Sequence, residues 1–242
     1  MNTVRRVELA ESWVLHCRPF RETSLIVEAF SREFGRMGLV ARGGRRPRSA
    51  LALAARPFRL LLLSWTGRGE LATLTAAESA PQHSALAPPA GERLLAAMYL
   101  NELVLRLTRR EDPHPELFDH YSQALGELCA AGPMEPILRR FELDLLVSLG
   151  FGLNLRHDIE GRDLAPNAAY CYRMEQGAEA LPNGARTGEA MNFSGAELLG
   201  MARGDWGSRD IRRAARRLLK TAIDFYLEGK PLNTRKVFAA MR

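Results

Sequence analysis

The hydrophobic period of this sequence changes once, between residues 81 and 91, and that change limits what the chain can fold into. Upstream, apolar residues come in short runs separated by turn formers, at 12–18, 24–30, 36–42, 59–65 and 70–74. Pro19 limits the first run, and Thr66-Gly67-Arg68-Gly69 reads as a hairpin turn between the last two. Residues 1–11 are mixed and charged and read as a loose lead-in. A short helical turn near 50–55 is the one interruption. Five short strands suit a small barrel of the OB type, whose sheet face and loops take single-stranded nucleic acid. An SH3-like barrel or a ribosomal-type β domain fits the alternation as well.

Downstream, apolar residues recur every three to four positions, so the remainder is predicted to be helical. Leu94, Leu95, Met98, Leu103 and Leu107 place a helix over 91–109. A second runs over 115–130, ended by Gly132-Pro133. A third follows Pro136 to about Leu149, with Leu138, Phe141, Leu143, Leu145 and Leu146 on its apolar stripe. Ser194 and Glu197 form a capping-box pattern that starts a helix over 195–203. Ser208 and Asp210 open a longer one to Glu228, apolar at Ile211, Ala215, Leu218, Ala222 and Phe225 and basic at Arg212, Arg213, Arg216, Arg217 and Lys220. A last short helix covers 234–241. Residues 150–193 are rich in Gly, Pro and Asn and read as an irregular insertion. The expectation is an α+β chain, with a barrel domain over 1–80 and a helical domain over 81–242.

The loop after the third strand is chemically distinctive. Arg42-Gly43-Gly44-Arg45-Arg46-Pro47-Arg48-Ser49 holds four arginines and no acid. Burying an unpaired charge is costly, so the loop is expected to project outward, either as a solvated connector or as an anion-binding element. Arg36 and Arg42, on the preceding strand, would assist Arg45, Arg46 and Arg48 in holding phosphates. Phe20, Phe30 and Trp65 are candidate stacking rings, although a barrel core is the commoner home for such residues.

Charge is uneven along the chain, whose formal net charge is +6. Residues 1–80 carry 13 basic and 7 acidic groups, 81–160 carry 7 and 12, and 161–242 carry 14 and 9. Two basic ends around an acidic middle favour an anionic polymer as partner. The cysteines, Cys17, Cys129 and Cys171, are far apart and odd in number, which argues for a reducing, cytoplasmic setting and against a disulfide framework. No run of 18 apolar residues is present. Cys171, His157 and Asp158 lack the paired spacing of a zinc site, so no metal or other cofactor is expected. The sequence carries no Walker loop, no GxGxxG after a strand, no HExxH and no GxSxG, and none of its five histidines sits beside a nucleophile in a motif. No catalytic residue is expected.

Several stretches, in order, resemble the RecO recombination mediator family. They are 13–25, which contains the pattern R-x-x-x-E-T-S-L; Gly35-Arg36-Met37-Gly38-Leu39-Val40-Ala41-Arg42-Gly43; Pro57-Phe58 with the leucines 60–63; and Gly67-Arg68-Gly69-Glu70. Further on, Tyr99-Leu100-Asn101-Glu102-Leu103, Leu138-Arg139-Arg140-Phe141-Glu142-Leu143, Leu149-Gly150-Phe151-Gly152 and Gly229-Lys230-Pro231-Leu232-Asn233-Thr234-Arg235 match its helices and closing motif.

The resemblance implies an OB-fold, a helical C-terminal domain and a nucleoid-associated place in the cytoplasm. It implies binding of single- and double-stranded DNA, strand annealing, and help to RecR in loading RecA onto DNA coated by single-stranded DNA-binding protein. It also implies that the acidic tail of that coating protein docks on the helical domain, where Arg139 or Arg140 would meet carboxylates beside Leu138 and Phe141. Some members have a four-cysteine zinc site over the segment matching 154–180. This chain keeps only Cys171 there, so the zinc is not carried over. The contrasting reading is a protein-interaction scaffold with a structural barrel. An RNA-binding barrel fits less well, because no aromatic RNP-like pair is visible.

Overall fold

The computed structural model describes residues 6–67, 69–80, 89–182 and 191–240, without the side chains of 238–240. It divides into two compact units, residues 1–131 with 233–242, and residues 132–232.

The first unit is built on five strands, β1 (Arg6–Phe20), β2 (Ser24–Ser31), β3 (Gly35–Ala41), β4 (Leu60–Thr66) and β5 (Ala72–Ser79). They close into a barrel in the order β1-β2-β3-β5-β4, with β3 and β5 parallel and the other pairs antiparallel. A 3-10 turn, Ala52–Ala55, lies between β3 and β4. The N-terminal lead-in expected over 1–11 is corrected from Arg6 onward. The charges at Arg6, Glu8 and Glu11 hide the alternation there, yet Val7 and Ala10 are buried and the strand pairs with β4.

β1 serves two neighbours because it bends. Its register with β4 shifts between Val7 and Ala10, where Leu9 takes φ +52° and donates its amide to Ser64 Oγ at 3.0 Å. A second shift, against β2, falls between Val14 and His16. An extra residue at such a bulge is left out of the ladder. Here Leu15 is that residue, and its carbonyl accepts from Asn101 Nδ2 at 2.6 Å.

Alternation sorts the barrel's apolar residues into two sets. Val14, Leu25, Val27, Ala29, Leu39, Leu61, Leu63, Trp65 and Leu74 fill the interior. Trp13 and Phe30 point outward, against helices. Helix α1 (Glu92–Leu107) and helix α2 (Pro115–Cys129) cover that outer face. Phe30 meets Phe118 at 5.6 Å, Trp13 meets Tyr121 edge-on at 5.7 Å, and Trp13 Nε1 donates to Ser122 Oγ at 2.7 Å. Tyr121 is fully buried, and burial drives its pKa far up, so its neutral hydroxyl donates to Asn101 Oδ1 at 2.5 Å.

The apolar face expected of α1 is corrected at Leu94 and Met98 and holds at Leu103. Leu94 and Met98 are exposed, while Ala96, Ala97, Tyr99, Leu100, Leu103 and Val104 are buried. Small residues let the helix sit close to the barrel, and a count of large aliphatics misses them.

Helix α6 (Asn233–Ala240) returns to this unit and is held by one carboxylate. Glu102 accepts from the amides of Asn233 and Thr234 at 2.7 and 2.9 Å and from Thr234 Oγ1 at 2.7 Å. Burial alone raises the pKa of Glu102. The Thr234 and Asn233 donors and the charge of Arg106 outweigh it and hold the group below the usual glutamate range. A depressed pKa contributes stability that is present above the unfolded value and lost as pH falls through the folded one. Glu102→Gln should therefore lower stability near neutral pH by about 1 kcal/mol. The gap to the parent should close in acid, which thermal melts at pH about 7 and about 3 would record. A gap of constant size would contradict this assignment.

The second unit contains α3 (Met134–Ser148), a sheet of β6 (Ala169–Arg173), β7 (Gly177–Ala180) and β8 (Asn192–Ser194), then α4 (Gly195–Arg203) and α5 (Arg209–Tyr226). The sheet order is β7-β6-β8. The insertion expected to be irregular thus forms a small sheet that shares one core with α3, α4 and α5. Tyr170, Tyr172 and Phe193 pack with Leu146, Leu198, Met201, Leu218 and Leu219. The predicted capping box is present, with Glu197 N donating to Ser194 Oγ and Ser194 N to Glu197 Oε2. Residues 183–190, within the predicted insertion, lie outside the described residues.

Candidate nucleic-acid interface

The loops at one end of the barrel enclose a cavity of about 580 Å³. It is lined by Phe20, Arg21, Thr23, Ser24, Val40, Arg42, Gly43, Arg46, Leu71 and Thr73. These come from the β1–β2 turn, the end of β3 with the basic loop, and the entry to β5. On OB barrels the strand 2–3 face and the loops after β1 and β4 bind oligonucleotides.

The basic loop is a chain of turns. Gly44 N donates to Ala41 O, Arg46 N to Gly43 O, Ser49 N to Arg46 O and Ala52 N to Ser49 O. Gly43 has φ +68°, as the first of these turns requires. The loop is also tied to the β1–β2 turn: Arg45 N donates to Thr23 O at 2.9 Å and Arg45 Nη1 to Glu22 O at 3.1 Å.

The structure separates the arginines singled out from the sequence. Arg42 and Arg46 line the cavity. Arg45 is exposed and spends part of its guanidinium on holding the loop. Arg48 is exposed, at φ +59°, and does not line the cavity. Arg36 belongs to a different cluster. Its guanidinium donates to Glu28 and to Thr108 O, both at 3.1 Å, and Arg110 donates to the same carboxylate and to Glu70 O. With its side chain 16% exposed, Arg36 is a largely shielded tie between β3 and the segment after α1. The strand position next to the loop had suggested DNA contact; Glu28, diagonally across in β2 where Phe30 is the direct neighbour of Arg36, is the partner that one strand alone does not reveal.

Arg21 is the cavity residue that the sequence reading passed over. It has φ +53°, and its guanidinium lies 5.2 Å from the Phe20 ring centroid. The signal was present, since Arg21 falls inside the R-x-x-x-E-T-S-L stretch. Of the three candidate stacking rings, Phe30 and Trp65 are buried, against α2 and in the barrel interior, while Phe20 is half-exposed on the cavity wall. Three guanidinium groups, one accessible ring and Leu71, 41% exposed, therefore share one concavity whose lining has no carboxylate among the described residues. It suits a chain of phosphates with bases to stack.

The residues marked for partner binding lie on α3, in the other unit. Arg139 turns inward, its side chain 11% exposed and paired with Glu142 at 2.9 Å. Phe141 is buried in the same way. Arg139 is corrected from a surface residue to an interior one, and Phe141 lies on the apolar stripe as expected but is too buried to be a docking surface: both share the buried stripe with Ile137, Leu145 and Leu146. Leu138 and Arg140 are half-exposed.

Among the described residues, no three His, Cys, Asp or Glu side chains group as metal ligands. Asp158 accepts from the amides of Glu160 and Arg162 within a turn, and His157 pairs with Asp163 at 3.3 Å. Nor is any described helix long and apolar enough to cross a membrane.

Residues 6–82 match the family model for the recombination protein O N terminal domain, and 89–236 match that for its C terminal domain. A DNA repair protein RecO of Azoarcus sp. (strain BH72) is 44% identical over 239 residues, covering 98% of this chain and 97% of the relative. One from Dechloromonas aromatica is 43% identical over 246 residues, covering 100% and 99%. One from Pseudomonas paraeruginosa is 43% identical over 227 residues, covering 94% and 93%. With both models matched in order and relatives aligned end to end, the chain belongs to the RecO family.

Proposed function

We propose that this chain is a non-catalytic recombination mediator in DNA repair. It binds single-stranded DNA in the barrel cavity, anneals complementary strands, and helps RecR load RecA onto strands coated by single-stranded DNA-binding protein. The observation that carries the DNA-binding part is the convergence of Arg21, Arg42 and Arg46 around the Phe20 ring, with no carboxylate in the lining among the described residues. Guanidinium forks suit phosphate oxygens, and a ring stacks on any base. The annealing and loading roles, and RecR as partner, rest on membership of the family.

Strand annealing tests the reading. Fluorescently labelled complementary strands should form duplex faster with the chain present, and the acceleration should fade as salt rises. Binding without acceleration would contradict the mediator role. Failure to bind either strand would favour the protein-interaction scaffold.

The acidic tail of the coating protein is proposed to dock on α3 beside Leu138 and Arg140, since Arg139 and Phe141 are interior. Arg140→Ala should lower tail-peptide affinity by about 1.5 kcal/mol, the lower range for a charge-assisted hydrogen bond. It should leave DNA binding unchanged. Titration of the peptide and of DNA into the same variant checks this, and equal loss of both would move the tail site elsewhere.

A further inference from the structure

The basic residues of α5 fall into two sets. Arg212 and Arg217 turn back onto their own unit. Arg212 donates to Trp206 O, Gly207 O and Glu135, and Arg217 donates to Asn192 O and lies 4.5 Å from the Phe193 ring centroid. The other set is Arg209, Arg213, Arg216 and Lys220, spaced four, three and four residues apart. At about 100° and 1.5 Å per residue, these four lie within an arc of about 60° and a length of about 16 Å. All four are exposed. Lys220 reaches Asp224 at 3.7 Å. Among the described residues, the side chains of Arg209, Arg213 and Arg216 make no ion pair or hydrogen bond.

This row works against its own helix. Like charges three and four residues apart repel along the surface. Arg209 is also the first residue of the helix, where the dipole disfavours a cation. An anion of matching length laid along the row offsets both costs. The arc carries no aromatic ring to stack a base and no apolar anchor for a peptide, so what it can recognise is a regular run of phosphates. Duplex DNA presents one charge per roughly 1.7 Å of axis, enough to face every cation of the row.

We propose that this row on α5 is a second nucleic-acid contact, which takes the phosphate backbone of duplex DNA and is separate from the barrel cavity. The proposal rests on the reading of the chain as DNA-binding, but it concerns different residues and a different form of DNA.

The test uses the full chain with Arg213→Ala, Arg216→Ala and Lys220→Ala combined. Alanine favours the helix, so the variant should melt no lower than the parent. Anisotropy titrations with a fluorescent blunt duplex and with oligothymidine are run at several salt concentrations. For the duplex, the log–log salt slope should flatten by roughly 2.7, at about 0.9 per lost contact, and affinity at low salt should fall at least about tenfold. Oligothymidine binding should be unchanged. A folded variant with an unaltered duplex slope overturns the proposal, even where loss of oligothymidine binding on mutation of the barrel cavity upholds the proposed function. Equal loss of both ligands overturns it too, because the row would then be only part of a general field. Loss of polyglutamate binding with duplex binding intact overturns it in favour of an acidic protein.

Discussion

Replacing Arg21, Arg42 and Arg46 together by alanine is expected to weaken single-stranded DNA binding by about two orders of magnitude at low salt. Exposed ion pairs contribute about 0.2–1 kcal/mol each, and charge-assisted hydrogen bonds about 1.5–3. Three partly exposed guanidinium groups in a concavity fall between these, at about 1 kcal/mol each, and about 1.4 kcal/mol is tenfold in affinity. The fold should survive. None of the three is buried, and the turns of the basic loop are closed by main-chain bonds and by Arg45. Arg36→Ala makes the contrast. Its loss breaks the Glu28 cluster and should lower thermal stability while adding little to any DNA defect of the folded fraction. Thermal melts and anisotropy on the same samples separate the two. A larger DNA defect from the stably folded Arg36 variant than from the triple variant would move the interface away from the cavity.

Gly35→Ala is expected to be the most damaging single methyl group in the first unit. Gly35 opens β3 at φ +67°, where a side chain costs about 1–2 kcal/mol. A Cβ there would also run into the main-chain carbonyl of Asp112, which cannot swing aside as a flexible side chain would. The Asp112 segment is fixed, because Glu111 N donates to Arg36 O at 3.0 Å and Arg110 grips Glu28. Overpacking of this kind costs a further 1–3 kcal/mol or so. Together they should lower the melting temperature by on the order of 10 °C for a chain of this size. Gly150→Ala is the control. Its φ is +78° but nothing lies within 4 Å of the added carbon, so it should show the conformational cost alone, about 1–2 kcal/mol. Equal effects at the two sites would mean that the Asp112 segment yields.

Strand and helix periodicity was legible where local chemistry decides structure. The capping box at Ser194 and Glu197 was readable because both partners lie within one turn. The barrel strands were readable because β2 and β3 alternate between interior and outer face. What was not legible depends on partners distant in sequence. Asn101 looks like an ordinary polar helix residue until the bulge at Leu15 frees a carbonyl for it, 86 residues away. The sheet β7-β6-β8 has strands of three to five residues, too short for a period to register. The candidate site suffered in the same way. Five arginines near one loop look alike in sequence, but Glu28 claims Arg36 and the carbonyl of Glu22 holds Arg45. Arg139 and Arg140 are neighbours in sequence, yet helical rotation buries the first against Glu142.

The salt dependence of single-stranded DNA binding, measured side by side for the parent chain and the Arg21/Arg42/Arg46 triple variant, tests the central claim most directly. Each phosphate contact on a single strand contributes about −0.7 to the slope of log affinity against log salt. The parent slope should be about −2 or steeper, and the triple variant should be flatter by roughly 2. Two parallel lines, or a parent whose affinity does not respond to salt, would contradict the assignment of the barrel cavity as the DNA site.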